Sequence, residues 1–211
     1  MIIFSTNFDE QTLACHNMIQ NLNVGSAKIL SAGDAVKITL ETELSAAPGN
    51  IFAMTHGRTN ALIGNDSNPA IDLQNSVILK DLTIFAFACH TSAILGKEVS
   101  GIGGTWFGYI GPIGCPDSKG DGLEIFKPIF QFIYDNYQHV RSVAQCNQFI
   151  SDLKTLCDLA EEQVDAILFT SEDVGLSSFL CLKNTWERLR VWIANEATSI
   201  AHPNATEPLV F

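Results

Sequence analysis

The chain has 211 residues, of which 46% are hydrophobic and 17% charged, so it is too short for two full-sized domains and too apolar to be disordered. The net charge of −11, from 12 basic and 23 acidic residues, argues against nucleic acid or an anionic membrane as the main partner. No apolar run reaches about 18 residues and residues 1–5 have no basic flank, so we expect neither a spanning helix nor a signal peptide, and a cytoplasmic location.

Apolar spacing and turn residues predict alternating strands and helices over the first two thirds of the chain and mainly helices after that. In chain order we expect a strand at 1–5, a helix at 9–22, a strand at 27–30, a helix at 34–44 that Asp34 caps, strands at 51–54 and 82–88, a helix at 92–99, a strand at 104–110, and helices at 123–137 (with Pro128 in its first turns), 142–168 and 176–197.

Three of the predicted strands are apolar throughout, which is typical of strands buried on both faces of a parallel sheet. Between the first two, the polar residues 58–75 are compatible with a long loop or a small hairpin. The sequence therefore predicts an α/β fold with an open, mostly parallel sheet flanked by helices. We expect an α/β catalytic domain over residues 1–140 and a helical C-terminal extension over 141–211 that packs on it.

Reactive side chains follow two of these buried strands. One strand ends in Thr55-His56-Gly57 and the next in Ala88-Cys89-His90. Parallel strands have their carboxyl ends at the same edge of a sheet, and ligands of open α/β sheets bind at that edge. If the two strands are neighbours, His56 and Cys89 face each other across one crevice.

A histidine beside a cysteine has a chemical use. The imidazole takes the proton of the thiol, which makes it a nucleophile, and then protonates a leaving amine. The amides of Gly57 and Cys89 are candidate donors to an oxyanion. The other cysteines, at 15, 115, 146, 157 and 181, form no C-x-x-C pair, and we predict packing roles for most of them. Cys115, which follows Gly114, is expected in a loop.

The order of these two blocks resembles that of caspase-like cysteine peptidases, in which a buried strand ending in His-Gly precedes one ending in Ala-Cys. The blocks here are residues 51–57 and 82–91, and the likeness is greatest to the bacterial CHAT branch, whose cysteine block reads Ala-Cys-x-Thr like Ala88-Cys89-His90-Thr91. A strand with Gly and Trp, here Gly104-Thr105-Trp106, follows in that branch. The likeness covers roughly residues 1–160.

The resemblance implies a cysteine endopeptidase with Cys89 as nucleophile, His56 as general base and acid, and Gly57 with the Cys89 amide as oxyanion donors. It implies no metal or organic cofactor, a protein substrate, a separate activating protein, and a role in defence or cell death. Many relatives carry an acidic residue or Gln two positions before the cysteine, where this chain has Phe87. We therefore expect small or apolar residues before the scissile bond, with Phe87 and Trp106 as candidate substrate contacts.

Two other classes of function stay open at this stage. A caspase-like scaffold or binding subunit without activity would keep the fold, although an intact His56 and Cys89 argue against it. A flavodoxin-like signalling domain would need an acidic pocket or a phosphate loop at the strand ends. The glycines at 101–104 and 108–114 match neither the G-x-x-x-x-G-K-[ST] phosphate loop nor the spacing of a dinucleotide-binding fingerprint.

Overall fold

A computed structural model describes residues 1–206 of the chain, so the last five residues of the predicted extension, 207–211, lie outside the described residues. It has nine strands and six α-helices over that range. The strands are β1 (Ile2–Ser5), β2 (Lys28–Ser31), β3 (Ile51–Met54), β4 (Gly57–Arg58), β5 (Ala61–Ile63), β6 (Pro69–Asp72), β7 (Thr83–Phe87), β8 (Thr105–Tyr109) and β9 (Leu189–Trp192). The helices are α1 (Glu10–Gln20), α2 (Lys37–Ala46), α3 (Leu95–Gly101), α4 (Gly120–Asn136), α5 (Val143–Ile167) and α6 (Leu176–Glu187).

Six strands form one sheet in the order β2-β1-β3-β7-β8-β9. All neighbouring pairs are parallel except β8 and β9, which are antiparallel. The predicted α/β architecture with a mostly parallel sheet between helices is therefore confirmed. The polar stretch after β3 folds into a second, antiparallel sheet of three strands, β4, β5 and β6. Of the two alternatives for residues 58–75, a long loop or a small hairpin, the hairpin is nearer to this structure.

Apolar side chains cover both faces of the main sheet, because its central strands alternate large residues to either side. On one face, Phe52, Phe85 and Phe107 pack against α1, α4, α5 and α6. On the other face, side chains that include Phe4 and Trp106 pack against α2, α3 and the small sheet. The sheet is thus the middle layer of three. Because both of its faces are covered, its strands approach the surface only at their ends.

Three predicted element boundaries were wrong. Asp34 lies in a 3₁₀ turn at Ala32–Asp34 and does not cap α2, because the chain stays extended at Val36 and the helix begins only after it. Pro128 lies well inside α4, since the glycine-rich residues from Gly120 onward are already helical. The final helix ends at Glu187, ten residues earlier than predicted (197 minus 187).

The residues after α6 form β9 at the edge of the sheet. Leu189 pairs with Tyr109 and Trp192 with Trp106, so the C-terminal region contributes a strand to the same sheet as the candidate site. Short apolar runs fit a helix or a strand equally well by spacing, and here the open edge of β8 decides in favour of the strand. Residues 141–206 therefore form helices α5 and α6 and one strand of the main sheet.

Candidate active site

The end of β3 fixes His56 through its backbone. The Thr55 amide donates to the Phe87 carbonyl at 3.2 Å, and the Thr55 hydroxyl donates to the Ile63 carbonyl at 2.7 Å. The Ile63 amide in turn donates to the carbonyl of His56 at 3.0 Å. Since β3 and β7 pair Met54 with Phe87, the same register continued by two residues brings His56 level with Cys89. Hydrogen bonds to the main sheet, through Phe87, and to the small sheet, through Ile63, therefore fix the backbone at His56.

Asp9 holds the His56 ring. Asp9 is the N-cap of α1, where its Oδ1 accepts hydrogen bonds from the Thr12 amide and the Thr12 hydroxyl, both at 2.8 Å. Its Oδ2 accepts from His56 Nε2 at 2.6 Å. Partial burial by itself raises the pKa of Asp9, but the bonds from Thr12 and His56 together hold that pKa below its usual value.

This hydrogen bond has a consequence for the imidazole. When Nε2–H donates to a carboxylate, the neutral ring has its lone pair on Nδ1, which is the nitrogen left to accept a proton. The centroid of the Phe8 ring lies 5.5 Å from that of the His56 ring. From the sequence we expected Asp9 only as the first residue of a helix, and we predicted no role for it in the site. The same strand-end argument could have found it, because Asp9 follows the buried strand β1.

Cys89 follows β7 at the same edge of the sheet and is half-buried. The chain turns sharply after it, with a left-handed φ of 63° at His90, which costs a non-glycine residue about 1 kcal/mol or more. The Ile113 amide donates to Cys89 Sγ at 3.3 Å. The thiol therefore lies between the end of β7 and the segment that follows β8.

Gly57 lies directly against the backbone of Cys89. A Cβ added at Gly57 would overlap the Cys89 carbonyl oxygen and would lie 2.5 Å from the Thr91 methyl carbon and 3.0 Å from Ala88 Cβ. Only glycine allows the two strand ends to come this close. The backbone of Gly57 thus lies against that of Cys89, although Gly57 is not among the residues that line the pocket.

His56 and Cys89 line one pocket at the carboxyl ends of β3 and β7. Its volume is about 30 Å³, room for roughly one or two water molecules. No Asp, Glu, Lys or Arg side chain lines it within the described part of the chain. The lining residues are Gln11, Thr12, Cys15, Thr55, His56, Phe87, Cys89, Ile113, Gly114 and Cys115.

The two predicted substrate contacts lie on opposite faces of the sheet. Phe87 is part of the pocket wall, although only 2% of its surface is exposed. Trp106 is fully buried on the other face, packed against Gly96 and Gly108, and does not line the pocket. Of these two residues, Phe87 alone lines the pocket.

Two further cysteines line the pocket, Cys15 of α1 and Cys115 of the loop after β8. Cys115, which we expected in a loop without assigning it a role, lines the same pocket as His56. Burial raises the pKa of the Cys115 thiol, and that of Cys15 much more. The other three are buried in helices α5 and α6, where burial raises the pKa of Cys146 to about 12.

Comparisons with protein-family models, with curated proteins and with solved structures give no match to this chain. Over residues 1–206, no group of three or more His, Cys, Asp or Glu side chains is placed to hold a metal ion. No helix in that range has both the length and the apolar character needed to cross a membrane. What the site can do therefore rests on its own side chains.

Proposed function

We propose that the protein is a cysteine endopeptidase that works through Cys89 and His56, as the likeness of its two strand-end blocks to caspase-like CHAT peptidases suggests. The observation that carries the proposal is the shared pocket: His56 and Cys89 come from neighbouring parallel strands and line the same small cavity. The fold supplies the strand order that this chemistry needs, since β3 and β7 are adjacent.

The reaction follows from the groups present. His56 Nδ1 takes the proton of the Cys89 thiol, and the sulfur attacks the carbonyl carbon of the peptide to form a tetrahedral oxyanion. The backbone amides near Gly57 and Cys89 stabilise that oxyanion. The intermediate collapses as the C–N bond breaks, with His56 donating its proton to the leaving amine. Water, deprotonated by His56, then hydrolyses the thioester and frees Cys89.

Asp9 completes the set as a positioning residue. Its hydrogen bond to Nε2 fixes the tautomer that leaves Nδ1 as the base, and its negative charge stabilises the imidazolium that forms during the attack. The uncharged pocket lining supports a preference for small or apolar residues before the scissile bond. The substrate is a protein, and the setting we propose is cytoplasmic defence or cell death under the control of a partner.

The test is peptide cleavage by the purified chain and by Cys89→Ala and His56→Ala, on a library that varies the residue before the scissile bond. Both variants should lose cleavage by about 10⁴-fold or more, because they remove the nucleophile and its base. The matched controls are Cys146→Ala in α5 and His139→Ala, an exposed histidine, which should cleave as the wild type does. Cleavage that survives Cys89→Ala would contradict the assignment to this cysteine, and strong selection for Arg or Lys before the scissile bond would contradict the expected preference for small or apolar residues.

An inactive scaffold is the second candidate. The observation in its favour is the narrow pocket, in which the Ile113 amide already occupies a hydrogen-bonding position on the Cys89 sulfur. For a scaffold, neither Cys89→Ala nor His56→Ala changes any function of the protein. Rapid alkylation of Cys89 that depends on His56 separates the two candidates, since only a peptidase needs an activated thiol.

A further inference from the structure

Three cysteine side chains meet at the candidate site. Cys15 of α1, Cys89 after β7 and Cys115 of the loop after β8 line the same pocket as His56. All six cysteines of the chain are free thiols in this structure. The proposed peptide cleavage uses Cys89 alone and gives the other two pocket thiols no role. Two thiols that share a pocket have a chemistry of their own, because oxidation can join them as a disulfide.

The path of the chain brings Cys115 towards the Cys89 sulfur. The Ile113 amide donates to Cys89 Sγ at 3.3 Å, and Cys115 is two residues further along the same loop. Two residues span at most about 7 Å of backbone. The pocket that both cysteines line has a volume of about 30 Å³, room for roughly one or two waters. A disulfide needs its two Cα atoms about 4.4–6.8 Å apart, a separation that a short movement of the loop can supply.

The loop that carries Cys115 is built to allow such a movement. Residues 112–118 belong to no helix or strand. One bond that holds them comes from the Cys181 thiol of α6, which donates to the Gly114 carbonyl at 3.3 Å. A thiol is a weak donor, so this contact yields more easily than the backbone pairing of a strand. The strand β7 therefore keeps Cys89 in place, and the loop is the side that adjusts.

Cys115 is better suited than Cys15 to react with an oxidised Cys89. A thiol attacks as its thiolate, so a strongly raised pKa makes the attack slow. Burial raises the pKa of Cys15 far above its ordinary value, and the nearby thiolates of Cys115, Cys181 and Cys89 raise it further. Burial raises the pKa of Cys115 less strongly, since this side chain is only half-buried. Cys15 is also fixed within α1, with 6% of its surface exposed.

We propose that Cys89 and Cys115 form a reversible disulfide when a hydroperoxide oxidises Cys89. First, His56 Nδ1 takes the thiol proton and the Cys89 sulfur attacks the hydroxyl oxygen of the peroxide. The O–O bond breaks, Cys89 becomes a sulfenic acid, and the leaving oxygen takes the proton from His56 to form an alcohol or water. Second, the Cys115 sulfur attacks the sulfenic sulfur. The S–S bond forms, the S–O bond breaks, and the hydroxyl leaves with the Cys115 proton as water.

The disulfide has a consequence for the proposed cleavage. A sulfur held in a disulfide cannot attack a peptide carbonyl, so oxidation switches the site off, and a dithiol restores it by reducing both sulfurs. This consequence rests on the proposed function, whereas the disulfide itself does not. A sulfenic acid with no second thiol is oxidised further to a sulfinic acid, which dithiols do not reduce. Cys115 therefore keeps the oxidation of Cys89 reversible.

The test treats the reduced, purified full chain with hydrogen peroxide and then blocks the remaining thiols with iodoacetamide. Disulfides are identified by mass spectrometry of a tryptic digest under non-reducing conditions. Trypsin cleaves after Lys97 and so separates Cys89 from Cys115, which makes their disulfide visible as two joined peptides. We expect this joined pair from the monomeric protein. Dithiothreitol should remove it and restore both thiols to alkylation.

Three variants locate the reaction. Cys115→Ala should lose the joined peptides and accumulate sulfinic acid at Cys89 that dithiothreitol does not reverse. Cys15→Ala, the matched control in the same pocket, should give the joined peptides as the wild type does. His56→Ala should form the disulfide about 10²-fold more slowly, the lower end of what a general base contributes, because the thiol has lost its proton acceptor.

Several results would overturn the proposal: no disulfide at Cys89, a disulfide of Cys89 with Cys15 or Cys181, a disulfide formed only between two molecules, or an unchanged rate in His56→Ala. The measurement does not depend on peptide cleavage, so the two proposals fail separately. A chain that forms the disulfide but cleaves no peptide keeps this proposal and loses the peptidase. A chain that cleaves peptides but does not join Cys89 to Cys115 keeps the peptidase and loses this proposal.

Discussion

The two sides of the pocket are built in different ways. On the His56 side, a carboxylate only nine residues from the N-terminus is fixed by its own helix cap, and it holds the ring by one short hydrogen bond. On the Cys89 side, the thiol accepts a hydrogen bond from a loop that is itself hydrogen-bonded to α6, more than 60 residues further along the chain. The first arrangement joins a helix cap to a strand end, whereas the second depends on how a loop meets a helix.

This difference leads us to expect that the His56 side of the site is the constant side and that the Cys89 side is the more mobile one. A helix N-cap forms with its helix and needs no partner to assemble. A loop held by side-chain hydrogen bonds to a helix opens at a lower free energy than the core strands do. We therefore expect the base of the proposed reaction to stay in place while access to the nucleophile varies.

The largest effect is expected on the constant side, from Asp9→Asn. Asparagine caps a helix as well as aspartate does, so α1 stays intact, but the ring of His56 loses its charged acceptor. We expect kcat for peptide cleavage to fall by about 10²-fold, the lower end of what general acid–base groups contribute, with KM unchanged. Steady-state kinetics measure this, and Asp66→Asn, a surface change remote from the pocket lining, is the control.

If Asp9→Asn alters KM and leaves kcat as it was, Asp9 does not act through His56. Asp9 would then serve only as the N-cap of α1, and it would not orient the base of the proposed reaction.

A middle-sized effect is expected where the two sides meet, from Gly57→Ala. The new Cβ would overlap the Cys89 carbonyl oxygen, a backbone atom that cannot rotate away, so the ends of β3 and β7 must separate. We expect a loss of about 2 kcal/mol in the free energy of unfolding, as for other overpacked sites. Urea denaturation of the purified variant measures it.

The control for Gly57→Ala is Gly101→Ala in α3. A Cβ there has nothing within 4 Å, and alanine in a helix is favoured over glycine by about 0.5–1 kcal/mol. Equal stabilities for the two variants would show that Gly57 does not set the spacing between the strand ends.

The smallest effect concerns pH. The pKa of Asp9 is below its ordinary value of 3.8, so its contribution to stability is present above that value and is lost as the pH falls through the lowered pKa. Because the Asp9 side chain is 40% exposed, solvent screens the interaction and limits the contribution to no more than about 1 kcal/mol. Melting temperatures of the wild type and Asp9→Asn should converge between about pH 5 and pH 2. A difference that stays constant over that range would mean that the charge of Asp9 plays no part.

The candidate site was partly readable from the sequence because its main residues follow strands. The apolar runs before His56 and Cys89 predicted buried parallel strands, and parallel strands bring their ends together whatever the loops do. The side of the sheet on which Trp106 lies could not be predicted from the sequence in this way. Side chains alternate along a strand, so its orientation depends on the pairing of Phe107 with Phe85, which fixes Trp106 on the opposite face.

The contacts that join distant parts of the chain could not be predicted. The bond between Asp9 and His56 spans 47 residues, and that between Cys181 and Gly114 spans 67. Neither leaves a periodic signal, because each depends on how a helix meets a segment that is distant in the sequence. The same is true of β9, whose four residues become a strand only because β8 has a free edge to pair with.

That antiparallel strand also determines how the chain meets its own copies. A sheet edge with unpaired backbone groups invites another chain to add a strand, which is a route to symmetric dimers and to aggregation. Here the outer side of β9 is already bridged, since Val191 and Ile200 exchange backbone hydrogen bonds at 2.9 and 2.8 Å. At the other edge, β2 is four residues long and begins with an exposed lysine. Both ends of the sheet are therefore poor templates for strand addition, and growth by continuous β-pairing is disfavoured at each of them.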